Sequence, residues 1–141
     1  MKVTGCSIAE GYGLSETSPV LCMNEPGKEV MGTVGLALPD TIIKFIDAQG
    51  DDVAHGEEGE LVASGPQIMK GYWQRLDETA KCMTVDGFFR TGDIGLALPT
   101  GHIKIVDRLK DIIIVSGFNV YPNEVEQIIT QHPNVLEAAV I

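Results

Sequence analysis

The chain has 141 residues, of which 44% are hydrophobic and 21% charged, so length and composition describe an ordinary globular chain rather than a disordered one. Twenty acidic against ten basic residues give a net charge of −10, with no cluster of Lys and Arg, which argues against a nucleic-acid-binding surface. Cys6, Cys22 and Cys82 form no CxxC pair, and His55, His102 and His132 lack zinc-ligand spacing, so a reducing, cytoplasmic-type compartment is expected. No apolar run approaches the roughly 20 residues of a membrane span, and the first residues carry no signal-peptide core.

In chain order, the first segment to carry chemistry is EGYGLSETSP (10–19). It sets Tyr12 beside Gly13 and follows with Ser15, Glu16 and Thr17. A planar Tyr can cover a nucleobase, hydroxyls can bond phosphate oxygens, and a Glu carboxylate is a hard ligand suited to Mg²⁺. On its own the segment reads first as a Gly-containing surface turn.

TIIKFID (41–47) and GELVASG (59–65) are β-branched and aromatic runs that predict strands. Glu60 falls inside the second and reads as an exposed strand residue as readily as a functional one. LDETAKCM (76–83) predicts a short helix with Asp77 as its N-cap. IGLAL (94–98) and HIKIV (102–106) flank Pro99-Thr100-Gly101, a hairpin signal.

FFRTGD (88–93) and DRLKD (107–111) flank that hairpin. Thr-Gly-Asp is explained by a turn, yet Asp93 also offers two acceptor oxygens that match the two hydroxyls of a ribose. Arg108 has a rigid fork of donors that can reach the same sugar or a phosphate. The plainer alternative is a surface Asp–Arg ion pair, and Lys110 with Asp111 can equally form a charged linker.

DIIIVSG (111–117) is a further strand run ended by glycine. Val125, Ile128 and Ile129 are spaced for a helix that starts at Pro122 or Asn123 and stops at Pro133. VLEAAVI (135–141) predicts another strand, and its interruption in mid-run suggests a truncated C-terminus.

Taken together and in this order, GYGLSETSP, GEL, GYW, FFRTGD, VDRLKDIIIVSGFNVYPNEVE and QHPNVLEAAVI resemble the adenylate-forming superfamily. The wording is most similar to bacterial long-chain fatty acid–CoA ligases. The resemblance implies an α+β fold: residues 1–107 as the β-rich C-terminal part of the large AMP-binding domain, and 108–141 as the hinge and truncated beginning of the small C-terminal domain. It implies ATP, Mg²⁺, coenzyme A and a fatty acid as reactants, with an acyl-adenylate as intermediate.

By the same resemblance Tyr12 stacks on adenine beside Gly13, Ser15 contacts phosphate, Glu16 binds Mg²⁺, and Asp93 holds the ribose with Arg108 assisting. Lys110 matches the hinge, and Ser116, Gly117 and Phe118 match the loop brought to the pantetheine channel. Ser15 departs from the more usual Thr, and Leu76 from a common Pro. The family's phosphate-binding loop and its small-domain catalytic lysine have no counterpart here, so an internal fragment, inactive alone, is expected. A ligase for an aryl or medium-chain acid, or a noncatalytic nucleotide-binding module, are the alternatives. The full-length parent is expected in the cytoplasm, with peripheral attachment to the inner membrane face left open.

Overall fold

The computed structural model describes residues 5, 6 and 8–141. Its centre is an antiparallel meander of four strands in sequence order: β4 (Ile42–Ile46), β5 (Gly59–Ser64), β6 (Phe89–Ala97) and β7 (Ile103–Arg108). The β-branched and aromatic residues of β4 and β5 suit a pleated surface that is at least half buried. β5, between two neighbours, is buried from Gly59 to Ala63. The turn expected at Pro99-Thr100-Gly101 joins β6 to β7, with the Gly101 N–H donating to the Leu98 carbonyl at 2.8 Å.

A smaller antiparallel sheet precedes the meander: β1 (Gly11–Tyr12), β2 (Cys22–Met23) and β3 (Leu36–Ala37). It is stitched to the edge of β7 where the Val34 N–H donates to the Ile103 carbonyl and the Ile103 N–H to the Gly35 carbonyl, both at 2.8 Å. Leu21, Cys22, Leu61, Ala63 and Ile103 form the core between these sheets, with Tyr12, Phe45 and Ile105 packed against it. Gly13 is fixed by close approach, since a Cβ there would lie 1.6 Å from the Pro19 carbonyl oxygen.

α1 (Leu76–Lys81) lies between β5 and β6. The N-cap position is Arg75 rather than the expected Asp77. The Thr79 hydroxyl accepts from the Tyr72 N–H and donates to the Arg75 carbonyl, which draws the preceding turn into the helix start. Asp77 falls inside the first turn, where its carboxylate still meets the positive end of the helix.

Beyond β7 a 3-10 turn (Leu109–Asp111) leads to a hairpin of β8 (Ile113–Val115) and β9 (Phe118–Val120), then α2 (Pro122–Ile129). The run expected as one strand over 111–117 is therefore the end of a turn, a short strand and the hairpin loop. Ser116 and Gly117, both at positive φ, make the two-residue connection that matches strand twist. α2 falls where Val125, Ile128 and Ile129 predict it. The strand expected over VLEAAVI does not form: no neighbouring strand pairs with 135–141 among the described residues, and the Val140 N–H instead donates to Glu126 Oε1 at 2.9 Å. No helix among the described residues is long and apolar enough to cross a membrane.

Candidate nucleotide site

β6 does not break at Thr91-Gly92-Asp93, as a simple turn would require; it bulges. The register pairs Glu60 with Ile94 and Val62 with Arg90, so three residues of β6, Thr91 to Asp93, stand opposite Leu61 alone. Gly92 sits at φ +73, a conformation that side chains resist. The bulge re-aims the next side chain, and Asp93 is turned inward at 4% exposure.

Two residues distant in sequence meet Asp93 there. Tyr12, at the end of β1, donates its phenol proton to Asp93 Oδ2 at 2.5 Å. Arg108, opposite Asp93 on β7, places Nε 3.3 Å from Oδ1. Burial, and next the hydrogen bond to Asp93, push the Tyr12 phenol well above its ordinary range, so it stays protonated and donating. Asp93 is buried while Arg108 is 58% exposed at its side chain, so the pair is no ordinary surface bridge: one partner is fixed and the other reaches over the rim.

The loop after Gly13 forms a 3-10 turn, Ser15–Thr17. Thr17 is wholly buried and its hydroxyl is spent inside the loop, accepting from the Leu14 N–H and facing the Leu14 and Pro19 carbonyls. Ser15 is exposed at the start of the turn. Glu16 is half buried, and its Oε1 accepts from the Tyr72 hydroxyl at 2.8 Å. That bond, more than burial, pushes the Tyr72 phenol up to about 12. A carboxylate held this way by one oxygen suits a cation also coordinated by substrate phosphates. Among the described residues no group of three or more His, Cys, Asp or Glu side chains makes an all-protein metal site.

Lys110 lies exposed in the 3-10 turn, and Ser116, Gly117 and Phe118 are exposed at the tip and start of the β8–β9 hairpin. The hairpin turn itself accounts for Gly117. Thus Tyr12, Asp93 and Arg108 converge, Glu16 and Ser15 share the neighbouring loop, and the remaining expected residues occupy a second region beyond β7.

Glu60, expected as readily on the outside, is 5% exposed. Its Oε2 accepts from Arg90 Nε at 3.0 Å and Nη2 at 2.6 Å. Asp107, which sequence reasoning passed over, is 4% exposed and accepts from the Arg108 N–H and from both the backbone and side chain of Asn123. It thereby holds the first turn of α2, whose N-cap residue Tyr121 supplies no side-chain cap. The available signals were a carboxylate inside the apolar GELVASG run for Glu60 and the Asp that opens DRLKD at the end of a strand for Asp107.

Buried Asp93 thus holds the half-buried Tyr12 and the exposed Arg108, beside a loop that bears the Ser15 hydroxyl and the Glu16 carboxylate. Residues 1–73 match the family of AMP-binding enzymes, and the chain belongs to that family. Long-chain-fatty-acid–CoA ligases of Yersinia pestis and Salmonella typhimurium are 49% and 46% identical over 99% and 100% of this chain. The ATP-bound structure of MatB from Rhodopseudomonas palustris superposes with a TM-score of 0.92 at 40% identity over 98% of the chain. The chain spans 25% of the length of each of the two ligases and 28% of the MatB chain. The α+β architecture is accordingly that of a portion of an adenylate-forming enzyme.

Proposed function

We propose that this chain carries the ribose-binding, metal-facing and hinge portions of an acid–CoA ligase that activates a long-chain fatty acid as its acyl-adenylate and passes the acyl group to coenzyme A. The observation that carries this reading is the convergence of Tyr12, Asp93 and Arg108, brought together from positions 81 and 15 residues apart along the chain. The identity to two long-chain ligases supports the acid class.

In this reading residues 1–107 belong to the large nucleotide-binding domain and 108–141 to the hinge and the start of the small one. Asp93 accepts the two ribose hydroxyls. Its carboxylate has about four lone-pair sites, so Tyr12 and the sugar can be served together. The Tyr12 ring, oriented by its bond to Asp93 and followed by the constrained Gly13, flanks the adenine. Arg108 closes over the ribose from the rim, and Ser15 meets a phosphate oxygen. Glu16, steadied by Tyr72, would hold Mg²⁺, which when bound offsets the charge on the phosphates. Lys110 lies at the pivot about which the second region turns between adenylation and thioester formation. Ser116, Gly117 and Phe118 then face the pantetheine arm.

Titration of the chain with AMP, followed through its amide resonances, tests this. Shifts are expected at Tyr12–Glu16 and Gly92–Asp93, with Asp93→Asn weakening binding about tenfold or more, as befits loss of a charged acceptor. Binding unaffected by Asp93→Asn would overturn the ribose assignment.

A further inference from the structure

The bulge that carries Asp93 is bonded to Glu60 of the neighbouring strand. A regular register would run β5 and β6 past each other with Asp93 displaced from Tyr12. Instead Thr91 and Gly92 are tied to β5, and Asp93 is tied to Thr91. Glu60 Oε1 accepts from the Gly92 N–H at 3.3 Å, while its Oε2 is held by the Arg90 fork. The Thr91 hydroxyl donates to the Leu61 carbonyl at 2.8 Å and accepts from the Asp93 N–H at 3.1 Å. Glu60 thus bonds the residue before the bulge and the glycine at its centre, and Thr91 bonds the residue after it.

A carboxylate in the middle of a buried strand is an expensive choice when an apolar residue would pack as well. The hydrogen bond from Glu60 raises the Arg90 guanidinium further above its ordinary value, so Arg90 stays a cation beside that carboxylate. Arg90 is 35% exposed at the side chain while Glu60 is 6%, so the carboxylate is withdrawn from water further than its partner. Fixing the geometry of Gly92 and Asp93 is the return on that cost.

We propose that Glu60 is a positioning residue for nucleotide recognition: with Arg90, it holds the Thr91–Asp93 bulge so that the Asp93 carboxylate faces the ribose hydroxyls. The proposal rests on the reading of Asp93 as the ribose acceptor. It assigns to the GEL and RTGD motifs one shared task, the aiming of a single carboxylate.

The test compares AMP with 2′,3′-dideoxy-AMP, binding to the chain being followed by amide resonances. The unsubstituted chain is expected to prefer AMP about tenfold, the worth of hydrogen bonds to a charged acceptor. Glu60→Gln should shrink that preference about fivefold while leaving dideoxy-AMP affinity unchanged, an effect that general loss of stability would not produce. Arg90→Lys, which keeps the charge but loses the fork, should shrink it less, and decides the matter alone if Glu60→Gln fails to fold. A full preference for AMP in a folded Glu60→Gln or, failing that, Arg90→Lys chain overturns the proposal. If Asp93→Asn abolishes the preference while these variants keep it, the ribose reading stands and only the role of Glu60 falls. Equal binding of the two nucleotides by the unsubstituted chain would remove both.

Discussion

The meander and the region beyond it treat their apolar residues in opposite ways. Leu61, Val62 and Ala63 of β5 are at most 1% exposed, whereas Ile114 and Phe118 of the β8–β9 hairpin are 73% and 76% exposed. The first region encloses its own core and builds a buried ionic device on top of it. Asp107 of β7 bonds Asn123 at the start of α2, and within the second region Glu126 of α2 holds the Val140 N–H. Under the proposed function, binding geometry falls in the closely packed region and the proposed pivot in the more exposed one.

That contrast can be broken first at its strongest point. Leu61→Ala should cost about 2–5 kcal/mol of unfolding free energy, the usual penalty for emptying a closed core, and denaturant titration would read it. Alkaline titration should act on the same region. Burial pushes the Cys22 thiol from 9.0 up to about 12, and the Tyr12 phenol moves in the same direction. Because its folded value lies above the unfolded one, the Cys22 contribution is complete below about pH 9 and is lost as pH climbs towards 12, while that of Tyr12 is complete below about pH 10 and declines in the same direction. Cys22→Ala should flatten the decline of melting temperature over that window.

Asp107→Ala removes the anchor of α2 and should cost about 1–2 kcal/mol, felt as faster amide exchange in Pro122–Ile129 while β5 stays protected. At the small end, Phe118→Ser should change stability by no more than about 0.5 kcal/mol, since the ring is already in water. A large loss there would erase the distinction between the two regions.

Much of the first region was readable from local pattern. The strands at 42–46 and 59–64 and the hairpin around Pro99-Thr100-Gly101 follow from β-branched runs and turn chemistry, and α2 from its apolar spacing. Tyr12, Asp93 and Arg108 stand out in the sequence, and the fold brings them into contact. What escaped was whatever depends on register. Glu60 is buried because β5 is covered from Gly59 to Ala63, and the bulge of three residues against one beside it is announced by no periodicity. The Tyr72–Glu16 bond joins residues 56 apart, and Asp107 caps a helix 16 residues on. VLEAAVI has strand propensity but no neighbour to pair with among the described residues, and propensity without a ladder leaves it irregular.

The central claim is that the rigid region carries the nucleotide and the bulge at Thr91–Asp93 receives its ribose. Amide hydrogen exchange of the chain with and without AMP tests this most directly. The account predicts added protection at Tyr12–Thr17 and Gly92–Ile94, none at Ile114–Phe118, and loss of the effect in Asp93→Asn. Protection confined to the β8–β9 hairpin, or unchanged by Asp93→Asn, would contradict it.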